Sequence, residues 1–198
     1  MVTRRAIIVF LRVPELGKVK TRLAATLGDD RALAIYQQLT AMTMDVIQES
    51  TADILLFYYP EVPPEVPYAG HAYQQMGSDL GEKIAHAFSQ AFLAHDHVLI
   101  VGTDCPYLTP KEIDQAFLAL ERSEVVIGPA IDGGYYLLGL SSPTPSLFMN
   151  IDWSTDQVLS QTVAKARSMG FSFELLNELS DIDNEEDWSA YLASKLSD

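Results

Sequence analysis

Apolar residues in this chain come in continuous runs: Ala6-Ile7-Ile8-Val9-Phe10-Leu11, Ile54-Leu55-Leu56-Phe57-Tyr58-Tyr59, His97-Val98-Leu99-Ile100-Val101-Gly102, Val125-Val126-Ile127-Gly128 and Tyr135-Tyr136-Leu137-Leu138-Gly139-Leu140. A strand that is apolar at every position is covered on both faces, the condition of parallel strands sandwiched between helices. Helical periodicity fills the intervals. After Asp29-Asp30, expected to cap a helix, Ala32, Ile35, Tyr36, Leu39, Met42, Val46 and Ile47 recur at three- and four-residue spacing. Residues 79–94 repeat the pattern through Leu80, Ile84, Phe88 and Phe92, with Asp79 and Glu82 spaced as N-cap and N3. Thr109-Pro110-Lys111-Glu112 is a helix start, and the proline-rich segment from Pro60 to Pro67 ends the second strand. Residues 154–168 are predicted helical, 171–176 extended and 184–196 a closing helix. At 198 residues and 48% hydrophobic, the chain can bury one substantial core, so residues 1–198 are assigned to one domain. The pattern predicts an open α/β sheet with parallel strands, which binds ligands at the carboxyl ends of its strands. That directs attention to loops 12–22, 103–106, 129–134 and 177–183.

The first of these loops is chemically distinct. The sequence has 13 Lys plus Arg, and Arg4, Arg5, Arg12, Lys18, Lys20 and Arg22 all fall in the first 22 residues, against one acid, Glu15. The chain as a whole carries a formal net charge of −14. Cations gathered at the end of a buried strand in an acidic protein read as a phosphate grip. A Walker A loop is excluded, because Arg12 stands where its first glycine belongs and Val19 replaces the Ser/Thr after Lys18. What remains is a glycine-bent loop able to hold phosphate by charge and backbone amides, or else a solvated basic turn. Arg12 and Lys20 are its leading candidates; Lys18 and Arg22 are equally explained by solvation.

Net acidity argues against nucleic acid or an anionic membrane as partner, since either requires a broad basic surface. The apolar run after Arg4-Arg5 is too short for a secretory signal, and no stretch approaches the roughly 20 apolar residues of a membrane span. The lone Cys105 fits a reducing compartment, and a cytoplasmic location is expected. No histidine spacing suits zinc, and no Gly-x-Ser-x-Gly element is present.

Asp104, in Gly102-Thr103-Asp104-Cys105-Pro106, is delivered at the end of an apolar strand. That suits Mg²⁺, which takes one or two carboxylates and fills its shell with water and phosphate oxygens; an aspartate before a proline also organises a turn. Cys105 lacks a basic neighbour and is read as packing. In Ser180-Asp181-Ile182-Asp183-Asn184-Glu185-Glu186-Asp187, an extended chain points Asp181 and Asp183 to one side, so that one of them can complete a metal site begun by Asp104. Alternatively these acids serve a helix start, with Asp183 and Glu186 at capping spacing. Gly133 and Gly134, after Asp132 and before Tyr135-Tyr136, let a backbone approach a ligand closely or simply form a turn. Ser154 and Gln157 read as a capping box and Trp153 with Val158 as a hydrophobic staple, in a segment that can also present Trp153 to an acceptor.

Taken together, Phe10-Leu11-Arg12-Val13-Pro14, Gly17-Lys18-Val19-Lys20-Thr21-Arg22-Leu23, Asp79-Leu80-Gly81-Glu82, Gly102-Thr103-Asp104-Cys105-Pro106, Gly128-Pro129-Ala130 with Asp132-Gly133-Gly134-Tyr135, Trp153-Ser154-Thr155 and Asp181-Ile182-Asp183 resemble the bacterial glycosyltransferase-like proteins related to the 2-phospho-lactate guanylyltransferases. The likeness spans about the whole chain. It implies a three-layer, Rossmann-like, mostly parallel sheet with one antiparallel strand, the nucleotide-diphospho-sugar transferase (glycosyltransferase A) fold. It further implies nucleotide phosphates on Arg12, Gly17, Lys18 and Lys20, with Asp79, Gly133 and Gly134 also at the ligand, and Mg²⁺ or Mn²⁺ on Asp104 with Asp183 or Asp181. The implied partners are a nucleotide or nucleotide-sugar and a small acceptor, with a homo-oligomer left open. The implied activity is nucleotidyl transfer from an NTP to a phosphorylated small molecule, with Asp104, Lys20 and Arg12 at the reacting centre; glycosyl transfer and non-enzymatic nucleotide binding are the alternatives. Two positions depart from the family pattern: Lys83 stands where arginine is expected, and Asn184 where threonine is usual.

Overall fold

The structure is a computed structural model that describes residues 3–196. Its apolar runs become the centre of one sheet: β1 (Arg5–Arg12), β2 (Asp53–Tyr59), β4 (His97–Val101), β5 (Val125–Pro129) and β6 (Tyr135–Leu140), with the short strands β3 (His71–Gln74) and β7 (Phe173–Leu175) at its edges. The order is β3-β2-β1-β4-β6-β5-β7. β1 pairs in parallel with β2 and β4, placing Val9 opposite Leu56 on one side and Val101 on the other. β6 pairs antiparallel with both β4 and β5, so Leu138 lies opposite Ile100 and Ile127. The sheet is therefore parallel except for β6, and β1, β4, β5 and β7 deliver their carboxyl ends to the same edge.

Successive side chains of a strand point to opposite faces, so each apolar run feeds two cores. Ile7, Val9 and Leu11 face Met44 and Ile47 of α2 (Asp29–Gln48) and Ile113 and Phe117 of α4 (Pro110–Ala119). Ala6, Ile8 and Phe57 face Ile84 and Phe88 of α3 (Leu80–Ala91) and Ala166 of α5 (Val158–Ser168). A third cluster joins Leu23 of α1 (Thr21–Leu27), Ile35 and Leu39 of α2, and Trp188 and Tyr191 of α6 (Glu185–Lys195) around Ile182. This small cluster draws the end of the chain onto the loop after β1. Among the described residues, no helix is long and apolar enough to cross a membrane.

Several helix starts follow the expected chemistry. Asp79 accepts a hydrogen bond from the Glu82 amide at 2.8 Å. Glu112 accepts from the Thr109 amide at 3.1 Å and from its hydroxyl. Others move. Gly28, not Asp29-Asp30, is the N-cap of α2, and the two acids occupy its first turn, where the helix dipole favours them. The expected Ser154–Gln157 capping box does not form: Ser154 adopts φ 65° in a turn, and α5 begins only at Val158. α6 is capped by Asn184, which accepts from Glu186 and Asp187, while Asp187 accepts from Asp183 and Asn184; the Asp183–Glu186 pairing is displaced by one residue. β3 and α1 were not expected from the sequence.

Candidate functional site

The chain leaves β1 at Arg12, and the Tyr36 hydroxyl fixes that exit by accepting from the Arg12 amide and donating to its carbonyl, both at 2.8 Å. Only a neutral phenol can do both, and burial raises the Tyr36 pKa in keeping with this. The Arg12 guanidinium then lies 5.2 Å from the Tyr59 ring centre, and its Nη1 donates to the Lys18 carbonyl at 3.4 Å. Lys83 of α3 reaches the same ring, with Nζ 4.0 Å from its centre. Lys20, the residue before α1, has a left-handed backbone (φ 46°, ψ 48°), uncommon outside glycine.

Lys20 is the residue on which the site converges. Its side chain is 7% exposed, and Nζ lies 3.0 Å from Asp104 Oδ1 and 3.7 Å from Asp183 Oδ1. It also donates to the Ile182 carbonyl at 2.6 Å. The Ile182 amide in turn donates to the Asp104 carbonyl at 2.9 Å, so the late segment continues the loop after β4. Ile182 is only 1% exposed in the third cluster, while its neighbours Asp181 and Asp183 line the hollow. Arg22, on the rim, donates to Asp183 Oδ2 at 2.9 Å.

Two adjoining hollows open here, of about 540 and about 510 Å³, sharing Arg12, Asp104, Asp132 and Asp181. The first is lined by Lys18, Lys20, Arg22 and Asp183. The second runs past Phe10, Tyr59, Lys83, Gly134, Tyr135, Tyr136 and Trp153. Cations thus stand on the β1 side and carboxylates on the β4, β5 and β7 sides. The Asp181 carboxyl is pushed up to about 7, first by burial and then by the negative charges of Asp132, Asp104 and Asp183. Burial, with Asp181 and Asp104 nearby, pushes the Cys105 thiol up to about 12, which agrees with its reading as a packing residue.

Among the candidates read from the sequence, Arg12, Lys18, Lys20, Asp104, Asp181, Asp183 and Gly134 line the hollows. Asp79, Gly17 and Gly133 do not. The Asp79 carboxylate is engaged as a helix cap. Gly17, at φ 72°, faces the Asp29 side chain on α2. Gly133 has φ 89°, and a Cβ there would stand 2.3 Å from the Asp156 carbonyl, so its glycine serves loop packing. The structure adds Tyr36, Tyr59 and Lys83 to the site. Tyr36 reads as one more apolar position of α2, and its hydroxyl contact to Arg12 has no local sequence signal.

Hard carboxylate oxygens beside a cationic loop suit Mg²⁺ or Mn²⁺. Among the described residues, no group of three or more His, Cys, Asp or Glu side chains is arranged to hold a metal ion. One or two carboxylates suffice when phosphate and water complete the shell. The crowding of Asp181 by Asp132, Asp104 and Asp183, and the ammonium held between Asp104 and Asp183, both mark a place that favours a cation. The residues therefore fit an ion that shares its shell with phosphate, and Asp104 with Asp181 or Asp183 are the side chains that would hold it.

Known structures share this architecture. A protein of Desulfovibrio desulfuricans G20, provisionally named a nucleotide-diphospho-sugar transferase, is 30% identical, with a TM-score of 0.91 over 98% of this chain and 88% of that one. CMP:2-keto-3-deoxy-manno-octonic acid synthetase, solved with CTP, has a TM-score of 0.64 at 8% identity, covering 98% of this chain and 99% of the other. The inositol-1-phosphate CTP transferase of T. maritima has a TM-score of 0.61 at 14% identity, covering 98% and 95%. These last two establish the fold alone; the nucleotide-diphospho-sugar transferase fold is shown by the Desulfovibrio protein. No curated protein matches the chain by sequence. A family model described as "uncharacterized protein conserved in bacteria", DUF2064, matches residues 42–155, which carry β2 to β6 and Asp104. With more than half its length in that match, the chain belongs to the DUF2064 family.

Proposed function

We propose that this protein is a nucleotide-using transferase that, with Mg²⁺ or Mn²⁺, moves a nucleotidyl group from an NTP to a phosphorylated small molecule in the cytoplasm. The carrying observation is the convergence of the β1 loop, Asp104 and residues 181–183 around one cleft, joined through Lys20. The nucleotidyl chemistry implied by the guanylyltransferase resemblance belongs to the same proposal, as do the CTP-using names of two of the structural neighbours.

In this reading Arg12, Lys18, Lys20 and Arg22 hold the phosphate oxygens, and Asp104 with Asp181 or Asp183 holds the divalent ion. Bound there, the ion would supply neutralisation of phosphate charge. A phosphate oxygen of the acceptor attacks the α-phosphorus, the α–β bridging P–O bond breaks, and pyrophosphate leaves. The first-loop cations stabilise that leaving group. Positioning and preorganised charge supply the acceleration. Tyr36 clamps Arg12 so that this loop does not reorganise.

The test is incubation of the purified protein with each NTP, Mg²⁺ and a pool of phosphorylated metabolites while pyrophosphate is followed. A second reading, glycosyl transfer, is favoured by the name of the 30% identical Desulfovibrio protein. It is recognised by release of nucleoside diphosphate from a sugar nucleotide. Nucleotide binding with neither product would leave a binding protein.

A further inference from the structure

The cleft holds a cation of its own. The Lys20 ammonium directs its contacts to Asp104 Oδ1, Asp183 Oδ1 and the Ile182 carbonyl, at 3.0, 3.7 and 2.6 Å. Its side chain is nearly excluded from solvent, whereas Asp104 and Asp183 remain partly open to the cleft. An ammonium fixed there neutralises the carboxylates that a divalent ion would use. It also repels a second positive charge brought within a few ångströms. Arg22, on Asp183 Oδ2, adds to both effects from the rim.

We propose that Lys20 is a built-in occupant of the cation position, so that Mg²⁺ or Mn²⁺ enters only together with a polyphosphate that takes over the ammonium. Lys20 would then be the residue that couples metal binding to nucleotide binding. In the empty protein it shields Asp104 and Asp183 from each other and from free divalent ions. In the loaded protein, phosphate oxygens take over the N–H groups of the ammonium while the carboxylates turn to the metal, so that each charge keeps a partner of opposite sign. Lys18, Lys20 and Arg22 line one hollow with Asp104, which brings a phosphate bound there within reach of the ammonium. The protein would thereby take the metal as a metal–nucleotide complex and resist idle loading by the free ion.

This inference rests on the metal and nucleotide reading above, and the experiment separates the two. Binding of Mn²⁺ to the full chain is measured by electron paramagnetic resonance, alone and with each of ATP, GTP, UTP and CTP in turn, for the wild type and for Lys20→Met. The wild type alone should bind Mn²⁺ weakly and should bind it tightly in the presence of nucleotide. Without nucleotide, Lys20→Met should gain at least about tenfold in Mn²⁺ affinity, as expected when a like charge next to the ion is removed. Because Lys20→Met leaves two carboxylates facing each other, Lys20→Gln, which keeps a donor for the Ile182 carbonyl, is measured beside it, and unfolding melts identify the folded variant. Unchanged or weaker Mn²⁺ affinity in a folded variant overturns the inference. So does micromolar binding of Mn²⁺ by the wild type alone, whatever the variants do. If ATP, GTP, UTP and CTP all fail to bring Mn²⁺ onto the wild type, it is the nucleotide reading that fails.

Discussion

At the amino ends of the strands, Arg4 meets Asp96 at 3.3 Å and Arg5 meets Glu121 at 3.0 Å, with all four side chains a third or more exposed. At the carboxyl ends, Lys20 meets Asp104 at the same 3.0 Å with its own side chain all but removed from water. Identical distances have unlike consequences. Water and salt screen the exposed pairs, which contribute little to stability. The sequestered ammonium has few waters to fall back on, so losing its partners, or taking it from them, changes the free energy of the site. One end of the sheet is finished with charge; the other holds charge in a form that a ligand can rearrange.

The comparison breaks most visibly at Asp104. In the nucleotidyl-transfer assay, Asp104→Asn is expected to lower turnover at least about 100-fold while the protein stays folded, with a smaller loss of stability than Lys20→Ala because Asp183 and the Ile182 carbonyl still hold the ammonium. A rate within about threefold of wild type would remove Asp104 from the mechanism. Lys20→Ala comes next. It strands Asp104 and Asp183 without their ammonium and should destabilise the fold by about 2–3 kcal/mol in urea unfolding. A loss below about 0.5 kcal/mol would place Lys20 with the surface pairs.

The third test uses pH. Asp181 keeps its proton to about pH 7 in the fold and to 3.8 in a free chain. Because the folded value is raised, the associated stability is complete below about pH 4 and is lost as pH rises through about 7. In metal-free buffer the thermal midpoint should fall between about pH 5 and about pH 8. Asp181→Asn should flatten that fall and stabilise the protein at about pH 8 by roughly 1–2 kcal/mol, the open cleft damping the full linkage. Overlapping wild-type and variant curves would show that the four acids do not crowd one another. The smallest effect belongs to the other end of the sheet, where Glu121→Gln should change stability by less than about 0.5 kcal/mol by the same unfolding measurement.

Residues legible in the sequence are those whose role follows from near neighbours. Val9 and Leu99 read as buried strand because every residue around them is apolar, and Thr109 with Glu112 reads as a helix start because the contact spans three residues. β3 was illegible: four residues, mostly exposed at a sheet edge, show neither continuous nor alternating burial. Family resemblance implied one antiparallel strand without saying which, although the residues between Gly128 and Tyr135 are too few for a parallel crossover and already point to β6. At the site, Lys20, Asp104 and the 181–183 turn were each visible as chemistry at a strand end. Their contacts were not, nor was the packing of Gly17 against Asp29 and of Gly133 against the Asp156 backbone, whereas the capping role of Asp79 was legible from its spacing to Glu82.

By itself the sequence determined which segments are buried strands and that cations gather after the first of them, because burial and charge are written in composition over a few residues. Only the tertiary structure decided that Lys20, and not Arg12, is the cation enclosed by the acids. Its bond to the Ile182 carbonyl joins residues 162 apart in the chain. Contacts across that separation are set by strand order and by the packing of Ile182 against α1, α2 and α6, which no local pattern encodes.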